Sequence, residues 1–200
     1  MQLFLNATSP YARMARITMM EKGLAEMVTL RWCDPWADDA ALLNANPAGR
    51  IPALITADGT ALSESLLIAL YLDGQGPGEP LIPPSRLSEV LHRVGLGQGL
   101  MDAAFTTVIA RKHQGSEADD SELGQRRLRA FQRILDQLEQ ELDEAQAMSA
   151  MTLADIAVGV ALDYLTFRLP EVTWSHGRPR LAAWHRQIVR RESFTQTAFG

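Results

Sequence analysis

The chain has 200 residues, 46% hydrophobic and 22% charged, with 19 basic side chains against 24 acidic ones and a net charge of −5, so it is long enough for one large or two modest domains and is neither a disordered chain nor one with the basic excess of a nucleic-acid footprint. The single cysteine, Cys33, excludes an intramolecular disulfide and Cys-rich metal or cluster sites and agrees with a reducing compartment. No run nears the ~18 apolar residues of a membrane span, and the N-terminus lacks the basic start and cleavage site of a secretory signal, so the expected location is cytoplasmic.

Leu3-Phe4-Leu5 marks a first strand, about Gln2 to Asn6. Ser9 then precedes Pro10, whose fixed φ and missing N–H suit the first position of a helix. Met14, Ile17 and Met20 fall in step on one side of that helix, and Gly23 stops it after Lys22. A second strand covers about Val28 to Trp32, a loop Cys33 to Asp39, and a short helix Ala40 to Asn46. The runs from Ile51 to Thr56 and from Thr60 to Leu62 flank Ala57-Asp58-Gly59, where Asp-Gly is a strong hairpin signal. A third helix spans about Ser65 to Asp73. Strand and helix signals alternate in this way through a mixed α/β domain, residues 1–77.

Gly74 to Ser85 holds too many glycines and prolines for a helix or a central strand, and the linker is placed at 78–85. Beyond it the period becomes helical. Leu87, Val90, Leu91 and Val94 begin a helix from Arg86 to Gln114, and Leu128, Phe131, Ile134, Leu135, Leu138 and Leu142 give a second. Ala154 to Arg168 is mostly apolar on all sides and predicts a central buried helix, whereas Arg180 to Arg191 buries Leu181, Trp184 and Ile188. Thr152-Leu153-Ala154-Asp155 has the N-cap and N3 residues of a capping box, with Met151 and Ile156 placed as a hydrophobic staple; this is a folding element. The basic residues Arg178, Arg180, Arg186, Arg190 and Arg191 read as a solvated helix face. Residues 86–200 are expected to be an all-α domain.

Four segments now stand in order: Ser9-Pro10-Tyr11-Ala12-Arg13, the run from Asn46 to Leu54 containing Arg50-Ile51-Pro52, Ser63-Glu64-Ser65, and the capping box. Together they resemble a cytosolic glutathione S-transferase over the whole chain, and within that family the small bacterial members that carry Ser-Pro at the first helix. The resemblance implies an N-terminal thioredoxin-like βαβαββα domain followed by an all-helical C-terminal domain. Glutaredoxin-like proteins read Cys-Pro-Tyr-Cys at the first turn; here Ser9 and Ala12 stand in place of the sulfurs. The implied activity is therefore thiol activation in a bound ligand: reduced glutathione as co-substrate, its thiolate attacking a hydrophobic electrophile, with no metal and no dissociable cofactor. A two-fold homodimer is also implied, through helix three and the start of the long helix, where Leu91, Val94 and Met101 are apolar. No nucleic-acid or membrane partner is expected.

By the same resemblance, Ile51 lends its backbone N–H and C=O to the cysteinyl part of glutathione, as if the tripeptide were another strand, and the Ile51-Pro52 bond is cis. Glu64 takes the α-amine, while Ser65 and the free N–H groups of a helix start suit the α-carboxylate; Ser65 or Ser63 also suits a plain N-cap. Asp102 matches the acidic residue that reaches the γ-glutamyl amine from a neighbouring subunit. Arg50 is placed at the glycine carboxylate, a free surface arginine being the bland alternative. Ser9 is the catalytic candidate, because a hydroxyl donating to the sulfur favours thiolate over thiol, although a capping role is compatible and Thr8 and Tyr11 compete. Tyr11, Phe105 and Arg111, with Trp32, Trp36 and Met101, are candidates for the electrophile pocket; aromatics and methionines at these spacings otherwise read as core. Arg13 and Arg16 either raise the local potential for an anion or serve an ion pair or a solvated face. Two rivals remain. One is a non-enzymatic binding or stress-regulatory protein on the same fold, which has no need of Glu64, Ser65 and Ile51-Pro52. The other is a glutathione-dependent reductase, which needs a cysteine at the helix start, whereas Cys33 lies past strand two.

Overall fold

A computed structural model describes residues 1–142 and 150–200, which divide into two units: Met1–Pro83 with Glu192–Gly200, and Pro84–Arg191. The first unit contains β1 (Gln2–Leu5), α1 (Pro10–Glu21), β2 (Thr29–Trp32), α2 (Ala40–Ala45), β3 (Ala53–Ile55), β4 (Ala61–Ser63) and α3 (Ser65–Gln75). Its sheet runs β2-β1-β3-β4; β1 and β2 are parallel, and the two other pairs are antiparallel. A parallel neighbour needs a crossover, and α1 supplies it. Side-chain alternation along β1 then builds two layers. Leu3 faces a cluster with Ala15 and Met19 of α1 and Ile68 and Leu72 of α3, while Phe4 faces the opposite layer with Leu42 and Ala45 of α2.

Two boundaries differ from expectation. Helix α3 continues through Gly74 and Gln75, which composition assigned to the linker, and closes at Gly76, whose N–H donates to the Leu72 carbonyl. A Cβ at Gly76 would lie 2.3 Å from the Lys22 carbonyl oxygen, so this close approach of two backbones selects glycine. Lys22 itself is buried and pairs with Asp73 at 3.0 Å while donating to the Glu79 carbonyl at 3.0 Å, which ties the end of α1 to the segment leaving α3. The second difference is at the C-terminus. Residues 192–200, expected within the all-α domain, pack with the first unit. The Arg13 side chain, only 5% exposed, explains the return: Nε donates to Thr197 Oγ1 and a terminal nitrogen to the Phe194 carbonyl, both at 3.2 Å. Its guanidinium also lies over the rings of Phe194 and Phe199, at 5.4 and 4.6 Å.

The second unit is helical, with α4 (Leu87–Gln114), α5 (Glu122–Glu141), α6 (Leu153–Arg168) and α7 (Pro179–Ile188). The short α8 (Glu192–Thr195) belongs to the first unit. Helix α6 is buried on all sides, as its composition predicts. Its capping box is formed: Thr152 N–H donates to Asp155 Oδ2 at 2.8 Å, Asp155 N–H donates to Thr152 Oγ1 at 3.3 Å, and the Thr152 hydroxyl adds a bond to Oδ2 at 2.6 Å. Burial pushes the Asp155 carboxyl above its ordinary value, against the opposing pull of the Thr152 bonds. Helix α4 approaches α6 so closely at Gly97 that a Cβ there would lie 2.7 Å from the Ala157 carbonyl carbon. Val94 and Met101, expected at a subunit interface, are buried inside this unit and cannot meet a second copy; Leu91 is exposed. Among the described residues no helix is long and apolar enough to cross a membrane.

Candidate functional site

The sheet register gathers three of the segments singled out from the sequence. Phe4 pairs with Ala53, and Ala53 pairs with Ser63. The chain leaving β1 towards Ser9, the chain entering β3 from Ile51-Pro52, and the chain leaving β4 at Glu64-Ser65 therefore lie at the same end of the sheet. This juxtaposition follows from pairing and strand direction alone.

The first segment is a capped turn. Ser9 has extended backbone, φ −81° and ψ 122°, and its Oγ accepts from Ala12 N–H at 3.2 Å, with Pro10 as the first helical residue. An accepting hydroxyl keeps its own proton for donation. Asn6, which sequence reasoning passed over as a strand end, organises the approach: its Oδ1 accepts from Thr8 N–H at 3.1 Å and Ser9 N–H at 2.8 Å. The signal was an Asn placed two and three residues before those donors, the pattern of a side-chain-closed turn. Thr8, Ser9 and Tyr11 are all half-buried.

In the second segment the Ile51-Pro52 peptide is cis. The ladder with β1 ends at Ala53, so the Ile51 N–H and C=O lie beyond the paired register. Asn46 braces the loop before them, donating through Nδ2 to the Arg50 carbonyl at 2.8 Å and accepting from Ala48 N–H at 3.1 Å.

In the third segment Glu64 has φ +71°, a value rare for any residue with a side chain, and as the single residue between β4 and α3 it turns the chain from one into the other. Glu64 occupies the N-cap position without a side-chain capping bond, and Ser65, 4% exposed, is the first helical residue. The Ser65 hydroxyl therefore does not cap α3, and the first-turn N–H groups keep their capacity for an anion. Arg50 is not a free surface residue: it pairs with Glu64 at 2.5 Å, both side chains more than half exposed. An exposed pair of this kind is worth at most about 1 kcal/mol and yields readily to a competing charge.

The other candidates have different surroundings. Arg16 stacks over the Trp32 ring at 5.4 Å, and both Trp32 and Trp36 are exposed at 56% and 62%, so neither is a core residue. Cys33 is half-buried; burial and the nearby Asp39 charge push its thiol up, away from nucleophilic chemistry. In the second unit, Asp102 is exposed on α4 and accepts from Gln98 at 3.1 Å, Phe105 is half-buried, and Met101 is core. Arg111 holds Asp119 at 2.7 Å and Glu171 at 2.5 Å, and these carboxylates raise its pKa further. Arg178, expected on a solvated face, is buried and bonded to Asp136 and Gln132. No group of three or more His, Cys, Asp or Glu side chains fit to hold a metal occurs among the described residues.

Residues 8–75 match the model of the glutathione S-transferase N-terminal domain, and residues 121–187 that of the C-terminal domain. The chain is similar to an uncharacterized GST-like protein of Escherichia coli, YibF, with 30% identity covering 98% of each chain. It is also similar to glutathione S-transferase L1 of Arabidopsis thaliana, with 27% identity over 98% of this chain and 81% of the relative. Among solved structures, a glutathione transferase family member from Pseudomonas fluorescens with bound glutathione superposes with a TM-score of 0.89 and 36% identity, covering 100% of this chain and 98% of that one. A glutathione S-transferase from Methylobacillus flagellatus with glutathione bound has a TM-score of 0.85 and 31% identity, covering 98% of each chain.

Proposed function

Because the chain belongs to the glutathione S-transferase family, we propose that it binds reduced glutathione at the end of the first unit's sheet, stabilises the thiolate, and conjugates it to a hydrophobic electrophile. The observation that carries this reading is the convergence of the Ser9 turn, Ile51-Pro52 and Glu64-Ser65 on one sheet end. The unpaired edge before β3 takes the cysteinyl backbone as an added strand. The Ser65 hydroxyl and the α3 first-turn N–H groups take the γ-glutamyl carboxylate, and the Glu64 carboxylate exchanges Arg50 for the α-amine. Ser9 donates a hydrogen bond from its hydroxyl to the sulfur, and the α1 N-terminus adds its partial positive charge, so the thiolate is favoured over the thiol, whose proton leaves to water. The sulfur then attacks carbon, and the leaving group departs with the bonding pair.

Relatives of similar build support glutathione as the ligand: two solved structures of 31% and 36% identity hold it. We place the protein in the cytoplasm and propose a two-fold homodimer, for which exposed Leu67 and Leu70 on α3 and exposed Leu87 and Leu91 on α4 are available. The test of the central reading is calorimetric titration with reduced glutathione, expected to give a Kd between about 1 μM and a few mM. No heat and no spectral shift up to about 10 mM would overturn it.

A further inference from the structure

We propose that a cavity in the helical unit is a second binding site, for a small aromatic acid: a body of one or two rings bearing one carboxylate or sulfonate. The site lies wholly within Pro84–Arg191 and is independent of the glutathione reading. The cavity, about 690 Å³, is bounded by the C-terminal end of α4, the turn Ser116–Asp119, one face of α5 and the segment 171–178 that follows α6. That volume is in the range of small-molecule sites.

Two guanidinium clamps hold its walls. Arg111 ties α4 to Asp119, with bonds of 3.0 and 2.7 Å to one carboxylate oxygen, and to Glu171 at 2.5 Å. Arg178, 8% exposed, ties the 171–178 segment to α5 through Asp136 at 2.7 Å and Gln132 at 2.7 Å, and donates to the Trp174 carbonyl at 3.1 Å. The Trp174 indole is itself fixed. Its N–H donates to Thr166 Oγ1 at 2.9 Å, and its ring meets the His185 ring edge-on at 4.9 Å, while His185 bonds Asp163 at 2.7 Å. A recess whose walls and aromatic are already ordered loses little freedom when it is filled.

The lining then specifies the ligand. Its apolar part is Leu128, Phe131, Val172 and the Trp174 ring, which suits a flat apolar body. Its two carboxylates, Asp119 and Glu171, are already held by Arg111. The polar groups left without a side-chain partner among the described residues are Arg129, which is exposed and in no ion pair, the Gln132 amide nitrogen, whose oxygen is committed to Arg178, the Thr173 hydroxyl and the His176 ring. A guanidinium and an amide N–H₂ on the same helix, one residue pair apart by three positions, present donors to an anion, and the planar guanidinium fork matches a carboxylate or sulfonate.

The test is titration of the full-length protein with 2-naphthalenesulfonate, followed by the indole N–H resonances of its four tryptophans, with Trp174→Phe assigning the relevant one. The Trp174 resonance is expected to shift saturably below about 10 mM ligand, and Arg129→Gln, at an exposed site without structural bonds, is expected to raise Kd at least about fivefold, with Arg129→Lys recovering part of the affinity. The neutral 2-naphthylmethanol should bind at least about fivefold more weakly than the sulfonate. An unmoved Trp174 resonance, a smaller effect of Arg129→Gln, or equal binding of the neutral compound each overturns the proposal.

Discussion

Replacing Ser65 by alanine separates binding from folding, because the structure removes the usual ambiguity of a serine at a helix start. Ser65 is the first residue of α3, is 4% exposed, and makes no capping bond. Alanine at this position deletes a buried hydroxyl that the fold does not use and improves helix propensity slightly, so stability should change by less than about 0.5 kcal/mol, or roughly 2 °C in Tm for a chain of this size. In the proposed complex the same hydroxyl donates to a carboxylate, a bond to a charged group worth about 1.5–3 kcal/mol. At about 1.4 kcal/mol per factor of ten, Ser65→Ala should raise the Kd for glutathione about 10- to 150-fold. Calorimetry and a thermal melt on the same preparation read both quantities. An unchanged Kd, or a loss of several degrees in Tm with unchanged Kd, would refute the reasoning.

Ser9→Ala should cost about 0.5–2 kcal/mol of stability through the lost cap to Ala12, and should also raise the thiolate pKa of bound glutathione, each unit corresponding to about 1.4 kcal/mol. Ultraviolet absorbance against pH tells the roles apart, since identical thiolate titrations in both proteins would reduce Ser9 to a cap. Asp155 has a folded-state pKa raised by burial, so its carboxyl favours the folded state most below the unfolded value, near pH 4, and that contribution is lost as pH rises through the folded value. Wild type should therefore lose stability relative to Asp155→Asn as pH rises above about 4, and a melt series with the opposite slope would contradict this. Gly97→Ala forces a methyl against the α6 backbone at 2.7 Å and should destabilise by about 1–3 kcal/mol, visible as a lowered denaturation midpoint with unchanged slope.

The order of elements was legible because each rested on a local rule: Pro10 after Ser9 for α1, Asp58-Gly59 for the β3–β4 hairpin, the three-and-four spacing of α5, and the Thr152/Asp155 box for α6. What escaped was set by contacts far apart in sequence. Gly74 and Gln75 stay helical, though exposed, because the end of α3 is fixed beyond and before them by the close approach of Gly76 to Lys22 and by the Lys22–Asp73 pair, and residues 192–200 join the first unit with acceptors for the buried Arg13 at Phe194 and Thr197. Candidate residues carried by a motif, Ile51, Pro52, Glu64 and Ser65, were visible, and the structure brings them to one end of the sheet. Asn6 and Asn46 were not, because a side chain that shapes a neighbouring turn leaves no periodic trace. Nor does composition reveal that the Arg50 charge is matched by Glu64 or the Arg178 charge by Asp136, since ion pairing across 14 and 42 positions depends on the fold.

The first unit is discontinuous in the chain, and this bears on how it is made and how it can be recombined. Synthesis of residues 1–83 leaves the Arg13 guanidinium without Phe194 and Thr197, which follow more than a hundred positions later, after the entire helical unit. Until then a guanidinium destined for burial lacks the acceptors that Phe194 and Thr197 supply, so the nascent first unit holds an open flank that closes last. The same dependence governs chimeras. A hybrid that exchanges residues 1–83 between relatives while keeping the recipient's C-terminal segment splits a single cooperative unit between two parents, whereas one that carries residues 192–200 along with 1–83 moves the unit whole.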